Sequence, residues 1–388
     1  MSMSHENTDL KWIWQQEGWP SFTWDADALS APLREVIQLQ GALMGKAGAI
    51  ATKSSAESNL DALLQNIVQS SAIEDEVVNV ESVRSSLAKR LGVEAGGLSP
   101  ETAKTAGLAE LLLDATQNYG QPLTLGRLFQ WHRYLFPERE GEFSLNEVRV
   151  GELRGDDPMQ VVSGPYQRRV VHFEAPPKCQ EDGLGLEQQL DVFLAWFQDS
   201  GSAVALDPIL RAAQAHLWFV TLHPFDDGNG RLARAITDYA LAQAEHQSIR
   251  FYAMAASIME KRQSYYDILE STQKGGLDIT AWMLWFLETL KHALVGAQKR
   301  IDVVLDKARY WQIHTGDGLN QQQMKVLNRL LDVGPGGFAG GLNARKYMGI
   351  AGVAKATATR HLIDLLEKDC ITRQSGGGRS TSYEVKWP

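Results

Sequence analysis

The chain has 388 residues, more than one typical domain requires and enough for two or three domains with separate cores. Two cysteines, Cys179 and Cys370, exclude a disulfide framework and a CxxC metal knuckle, so a reducing, cytoplasmic setting is the default expectation. The net charge of −9 conceals an asymmetry: residues 320–388 carry ten Lys/Arg against five Asp/Glu, which leaves residues 1–319 at −14 and marks the tail as a different kind of object.

In chain order, the opening MSMSHENTDLKW has no apolar targeting core, and the most apolar run, Ile279 to Leu287, is too short to span a bilayer, so no membrane association is expected. Trp12, Trp14, Trp19 and Trp24 follow; packing is the expected role of such a cluster, ahead of ligand stacking. A helix is predicted from about Ala31 to Lys53. Inside it, GALMGKA superficially suggests a phosphate loop, but its glycines are too close and no Ser or Thr follows the Lys, so that reading is rejected. Leu60 to Val68 carries an apolar helical stripe and leads into SSAIEDE.

Gly92 to Pro100 reads as a loop joining an N-terminal helical region (1–100) to a core (101–300). Helices are predicted over Glu101 to Tyr119 and Leu125 to Leu135. The stretch MQVVSGPYQRRVVHFEAP then places β-branched residues on both sides of Ser163-Gly164-Pro165, the pattern of a β-hairpin.

The densest chemistry lies in Leu222 to Arg234, LHPFDDGNGRLAR. Asp207 to Thr221 reads as a helix with Asp207 as N-cap and Pro208 in the first turn, and Pro224 should stop it at His223. A second helix is predicted from Arg231 to His246, with Gly228, Asn229 and Gly230 in the short connection, where left-handed backbone is cheap. Backbone N–H groups ahead of a helix N-terminus make an anion site, and Arg231 and Arg234 lie on one side of that helix as phosphate clamps. Asp227 offers a hard oxygen to Mg²⁺, and His223 is placed to remove a proton near neutral pH.

This stretch resembles the signature of the Fic family, His-Pro-Phe-x-[Asp/Glu]-Gly-Asn-Gly-Arg-x-x-Arg, at every defined position. The resemblance implies Mg²⁺-dependent transfer of AMP from ATP to a Ser, Thr or Tyr hydroxyl of a protein, this chain included. It makes His223 the base, Asp227 the metal ligand, Gly228, Asn229, Gly230 and Arg231 the cradle of the α- and β-phosphates, and Arg234 the partner of the γ-phosphate. It also implies an inhibitory motif, [Ser/Thr]-x-x-x-Glu-[Gly/Asn], which Ser70 to Glu74 fits, while Asp75 departs from the expected Gly or Asn. The resemblance further implies that the hairpin is a flap holding the target segment, that Tyr266 lines the adenine pocket with Gln273 beside it, and that a Trp-rich opening belongs to one branch of the family. From the residues alone, one of Tyr265 and Tyr266 is expected in the core.

After a linker at 301–319, Gln321 to Leu331, Ala344 to Met348 and Thr357 to Asp369 read as three helices, and CITRQSGGGRSTSYEVKW as two strands around a turn, the order of a winged helix over 320–388. Lys355, Thr357, Thr359, Arg360 and His361 lie on or before its recognition helix and Arg379 in its wing, which suits DNA phosphates; protein contact or a homodimer is the equal alternative. The expected whole is a mainly α protein: N-terminal helical region, Fic-type helical core with a hairpin flap, and winged-helix tail. Alternatives are a DNA-binding regulator that senses nucleotide without catalysis, or a Fic enzyme that removes AMP or uses another nucleotide.

Overall fold

The computed structural model describes residues 11–50, 52–93, 99–137, 148–164, 168–180, 183–200, 206–336, 338–374 and 381–388. The chain is mainly helical and divides into two compact units: one contains the described residues up to Gly41 together with Ser55–Val295, the other Ala42–Ser54 with Gly296–Pro388.

In the first unit, helix α1 (Ala26–Ala47) covers most of the helix expected from Ala31 to Lys53, and α2 (Thr52–Ile73) contains the one expected at Leu60 to Val68. Helix α1 starts earlier than expected because Asp25 caps it: its carboxylate accepts the N–H groups of Asp27 and Ala28, and Pro32 sits inside the helix. The segment GALMGKA is helical, in accord with its rejection as a phosphate loop. Next come α3 (Val80–Leu91), capped by Asn79, α4 (Ala103–Gln117), capped by Thr102, and α5 (Leu125–Leu135), capped by Thr124. Of the loop expected at Gly92 to Pro100, residues 94–98 lie outside the described residues.

The predicted hairpin is present as antiparallel β1 (Gln160–Ser163) and β2 (Val170–Glu174), with a register irregularity between Val161 and Val162; residues 165–167 of its turn lie outside the described residues. The tryptophans pack, as expected. Trp12 is buried edge-on against Phe173 of β2, the Trp14 indole donates to the Glu174 carbonyl at 2.7 Å, and Trp19 meets Trp218 edge-on.

After α6 (Leu186–Ser200), the centre of the unit is α7 (Pro208–Leu222) beside α8 (Asn229–Glu245). Every residue of α7 after Pro208 is buried, the mark of a helix packed on all sides. Asp207 caps it, accepting from Ile209 N–H at 2.8 Å. Then follow α9 (Met254–Glu260), α10 (Arg262–Gln273) and α11 (Thr280–Ile313). Of the linker expected at 301–319, residues up to Ile313 continue α11.

The second unit adds α12 (Gln321–Leu331), α13 (Ala344–Ala351), α14 (Lys355–Glu367) and antiparallel β3 (Ile371–Arg373) with β4 (Tyr383–Val385), three helices and two strands in the expected order. Its core closes around Tyr310, Leu327, Leu331, Tyr347 and Leu365. On α14, Lys355, Thr359 and Arg360 are exposed, Thr357 is half-buried and His361 bonds to the Tyr347 hydroxyl; Arg379 lies outside the described residues.

Candidate functional site

The turn between α7 and α8 is built by its own sequence. His223 ends α7 in left-handed backbone (φ 49°), a conformation uncommon outside glycine, and Pro224 prevents any return to helix. Asn229 closes the loop on Phe225 by a reciprocal pair, its amide donating to the Phe225 carbonyl at 2.8 Å and its side-chain oxygen accepting from the Phe225 N–H at 3.0 Å. Gly228 alone takes the left-handed angle (φ 81°); Asn229 and Gly230, expected in the connection, form the first turn of α8. Gly228 is the N-cap and no side chain caps this end, so among the described residues no partner is seen for the N–H groups of Asn229, Gly230 and Arg231, and such a helix start favours anions.

His223 is partly buried, and its Nδ1 lies 3.1 Å from the Val220 carbonyl. A carbonyl only accepts, so Nδ1 carries the proton and Nε2 keeps its lone pair. Burial, followed by the nearby Arg154 charge, outweighs the Val220 hydrogen bond and pushes this imidazole down to about 4, so it stands neutral at pH 7. Asp227 is the exposed carboxylate of the turn: its Oδ1 accepts from Gly228 N–H and lies 3.5 Å from Arg231, while Oδ2 has no partner among the described residues.

Both arginines are occupied by carboxylates from the end of α2. Arg234, with 4% of its side chain exposed, donates to the Ser70 hydroxyl (2.8 Å), the Ser70 carbonyl (2.9 Å) and Glu74 Oε1 (2.8 Å). Burial alone would raise the Glu74 carboxyl, but the Arg234 guanidinium overrides it, with Arg231 and His223 adding, and the carboxyl is held below its usual value. A Cβ on Gly230 would run into Glu74 Oε1, so a larger residue there would push that carboxylate out of its present place. Arg231 donates to Glu76 Oε2 at 2.7 Å, and Lys104 holds the other Glu76 oxygen. The turn is fixed from α10: Tyr266 and Arg262 both donate to the Ile73 carbonyl, and Arg262 forks onto Asp75 at 2.8 and 2.6 Å. Asp75 has φ 58°, a backbone conformation that Gly and Asn adopt more readily than most residues.

The structure thus brings Ser70, Glu74, His223, Asp227, Gly228, Asn229, Gly230, Arg231, Arg234 and Tyr266 around one turn. Tyr265 is the buried member of its pair, bonded to His216 at 2.9 Å, while Tyr266 is half-buried; Gln273 is buried and tied to Thr221.

Three supports were not identified in the sequence. Buried His132 stacks on Phe225 (4.3 Å, 11°), accepts at Nδ1 from Gly151 N–H and donates at Nε2 to the Asp227 carbonyl, which fixes its tautomer and the peptide that carries Asp227. Buried Arg154 donates to the His223 carbonyl at 2.9 Å and to Pro176, next to the hairpin. Glu76 is the third. The hairpin itself is anchored by a chain in which Ser163 Oγ lies 2.6 Å from His172 Nε2 and His172 Nδ1 lies 2.7 Å from Glu270 on α10. The solvent side of the hairpin shows Val161, Val162 and Val170.

Residues 122–241 match the Fic/DOC family, and residues 12–93 match a domain of unknown function, DUF4172. Over 228 residues the chain is 28% identical to the protein adenylyltransferase Fic of Aedes aegypti, a stretch that is 56% of this chain and 38% of that protein. Over 126 residues it is 33% identical to the uridine 5'-monophosphate transferase of Xanthomonas campestris, 31% of this chain and 21% of that one. The chain therefore spans less than half the length of these relatives. A Fic family protein from Desulfovibrio desulfuricans shares the fold at TM-score 0.53 and 19% identity, covering 95% of this chain and 98% of that structure.

Proposed function

The chain belongs to the Fic family, and from that premise we propose that it is a nucleotidyltransferase that moves AMP from ATP to a Ser, Thr or Tyr hydroxyl of a protein, held off by carboxylates of its own. The observation that supports this most is the occupied arginine pair: Glu74 and Glu76 place anions on Arg234 and Arg231 beside a helix end without a cap, so the site already receives negative charge where phosphates belong.

In the reaction, the neutral Nε2 of His223 takes the proton of the target hydroxyl. The hydroxyl oxygen attacks the α-phosphorus in line, the bond from that phosphorus to the bridging oxygen breaks, and pyrophosphate leaves. The Asn229, Gly230 and Arg231 N–H groups and the two guanidiniums stabilise the charge that develops. Mg²⁺, when bound, supplies positive charge to the α- and β-phosphates. Asp227 fits it: the side chain is 58% exposed, and one hard oxygen is without a partner among the described residues. Tyr266 lines the adenine side, and the hairpin presents its exposed edge to a strand of target main chain. Release of AMP from a modified protein is a separate hydrolysis at the same site, in which water attacks the phosphorus and the protein hydroxyl leaves with a proton.

Intact-protein mass after incubation with Mg²⁺ and each nucleoside triphosphate tests the proposal. An increment of one adenylyl group, found with ATP and lost without Mg²⁺, is expected. A uridylyl increment with UTP alone favours the alternative that the Xanthomonas relative suggests. Asp227→Ala should keep little of the response to Mg²⁺; an unchanged response removes Asp227 from the metal site.

We propose in addition that residues 320–388 form a winged helix whose exposed Lys355, Thr359 and Arg360 meet DNA phosphates. Binding of duplex DNA by the full chain should fall steeply with added salt and with Arg360→Ala. No gel shift at low salt leaves protein contact or a homodimer as the role of the tail.

A further inference from the structure

Where α11 ends, the second unit gathers three side chains of metal-ligating type that the nucleotide chemistry does not use. His314 follows α11, Asp317 lies three residues further on, and Cys370, more than fifty residues away, immediately precedes β3. His314 Nδ1 lies 2.6 Å from Asp317 Oδ2 and 3.5 Å from Cys370 Sγ, and Asp317 Oδ2 lies 4.0 Å from Cys370 Sγ. Among the described residues this is the one group of three or more His, Cys, Asp or Glu side chains with ligand atoms this close.

The separations carry the argument. Tetrahedral Zn²⁺ with one sulfur at about 2.3 Å and N or O ligands at about 2.0 Å sets its donors about 3.3–3.5 Å apart. The imidazole and the thiol already stand at that spacing. Asp317 needs only to back away from the ring by about 0.7 Å and approach the sulfur by about 0.5 Å, a small rotation of its side chain relative to the spacing of a Zn²⁺ site.

The surroundings suit an ion as well. Cys370 is fully buried and His314 is 9% exposed, whereas 31% of the Asp317 side chain is open to solvent, so the group has two ligands in the interior and one at the surface. Tyr310 fixes the geometry: its ring lies 4.3 Å from that of His314, and its hydroxyl donates to the Cys370 carbonyl at 2.9 Å. A thiolate and a carboxylate together balance a divalent charge. One sulfur, one nitrogen and one oxygen donor is the mixed set that borderline Zn²⁺ accepts and that Mg²⁺ and Ca²⁺ do not prefer.

We infer that His314, Asp317 and Cys370 bind one Zn²⁺ through Nδ1, a carboxylate oxygen and Sγ, with water in the fourth position. The ion ties the end of α11 to the start of β3, two segments that Tyr310 also joins, and so acts as a clasp in the second unit. It is independent of the nucleotide site and of the activity proposed there.

The test uses the full chain carrying Cys179→Ser, which removes the exposed thiol as an adventitious ligand. After chelator treatment the protein is titrated with Co²⁺. One equivalent should bind with a thiolate-to-cobalt absorption band, and Zn²⁺ should displace it stoichiometrically. Cys370→Ala should abolish the band. Asp317→Asn, at a partly exposed position that should not unfold the unit, should keep the band but weaken Co²⁺ binding at least tenfold. Absence of a band in the parent protein, or a band that survives Cys370→Ala, overturns the site, and Co²⁺ affinity unchanged by Asp317→Asn overturns the three-ligand assignment.

Discussion

Glu74→Gly should raise adenylyl transfer, to the chain itself and to added protein, by tenfold or more. In the described state Glu74 Oε1 sits 2.8 Å from Arg234, against the face of Gly230 where a phosphate oxygen would otherwise stand. A hydrogen bond to a charged group contributes roughly 1.5–3 kcal/mol net, which corresponds to about one to two powers of ten in the fraction of open site. Misalignment of the α-phosphorus adds to that, because attack requires reacting atoms held near about 3–3.5 Å. Glu76→Gln should raise transfer less, since it frees Arg231 while Ser70 and Glu74 still hold Arg234. Asp75→Gly should change little: its backbone angle suits glycine, and the Arg262 that it loses still grips the Ile73 carbonyl. The measurement is label transfer from α-labelled ATP beside release of AMP from a premodified protein. Unchanged rates in both directions for a folded Glu74→Gly variant would make Glu74 an ordinary surface carboxylate.

His223→Ala should cost about 10²–10⁴ in transfer rate, the usual loss with a general base, and should leave ATP affinity nearly intact. The imidazole is neutral, with its free lone pair on Nε2, while the phosphates are to be held by the α8 N–H groups and the two guanidiniums. Measuring nucleotide binding and transfer side by side, in the Glu74→Gly background so that the site is open, separates the two roles. Loss of affinity as large as the loss of rate would place His223 in the phosphate site and end its assignment as base. His223→Asn, which keeps an Nδ donor toward Val220 but has no basic nitrogen, should be as inactive as the alanine variant.

The turn was legible in the sequence because its determinants are local. Asp207 and Pro208 start α7, His223-Pro224 stops it, and Gly228 supplies the one angle that other residues resist. The same locality made α5 and α12 readable to the residue, each with its own Thr or Asn cap. The supports of the site were hidden for the opposite reason. Glu76 meets Arg231 across 155 positions, His132 meets Asp227 across 95, and Arg154 meets His223 across 69, and none of these residue types at its position departs from an ordinary surface or core choice. Helix α3 was obscured by composition. Its inner face carries Ser82, Ser85 and Ser86, which bury by bonding to the preceding turn and to Thr105, so the apolar periodicity that announces a helix is weak there.

The Glu74 carboxylate on Arg234 is part of the chain, so its effective concentration there is fixed and cannot be diluted, whereas ATP would compete at whatever concentration is present. The apparent dissociation constant for a nucleotide that needs Arg234 is its intrinsic value divided by the open fraction, while one that does not reach Arg234 escapes that tax. If the γ-phosphate is the part that needs Arg234, the closed latch penalises triphosphates selectively and narrows the preference of the site for ATP over ADP. A partner that held Glu74 away would then restore selectivity for the triphosphate as well as rate, through the same carboxylate.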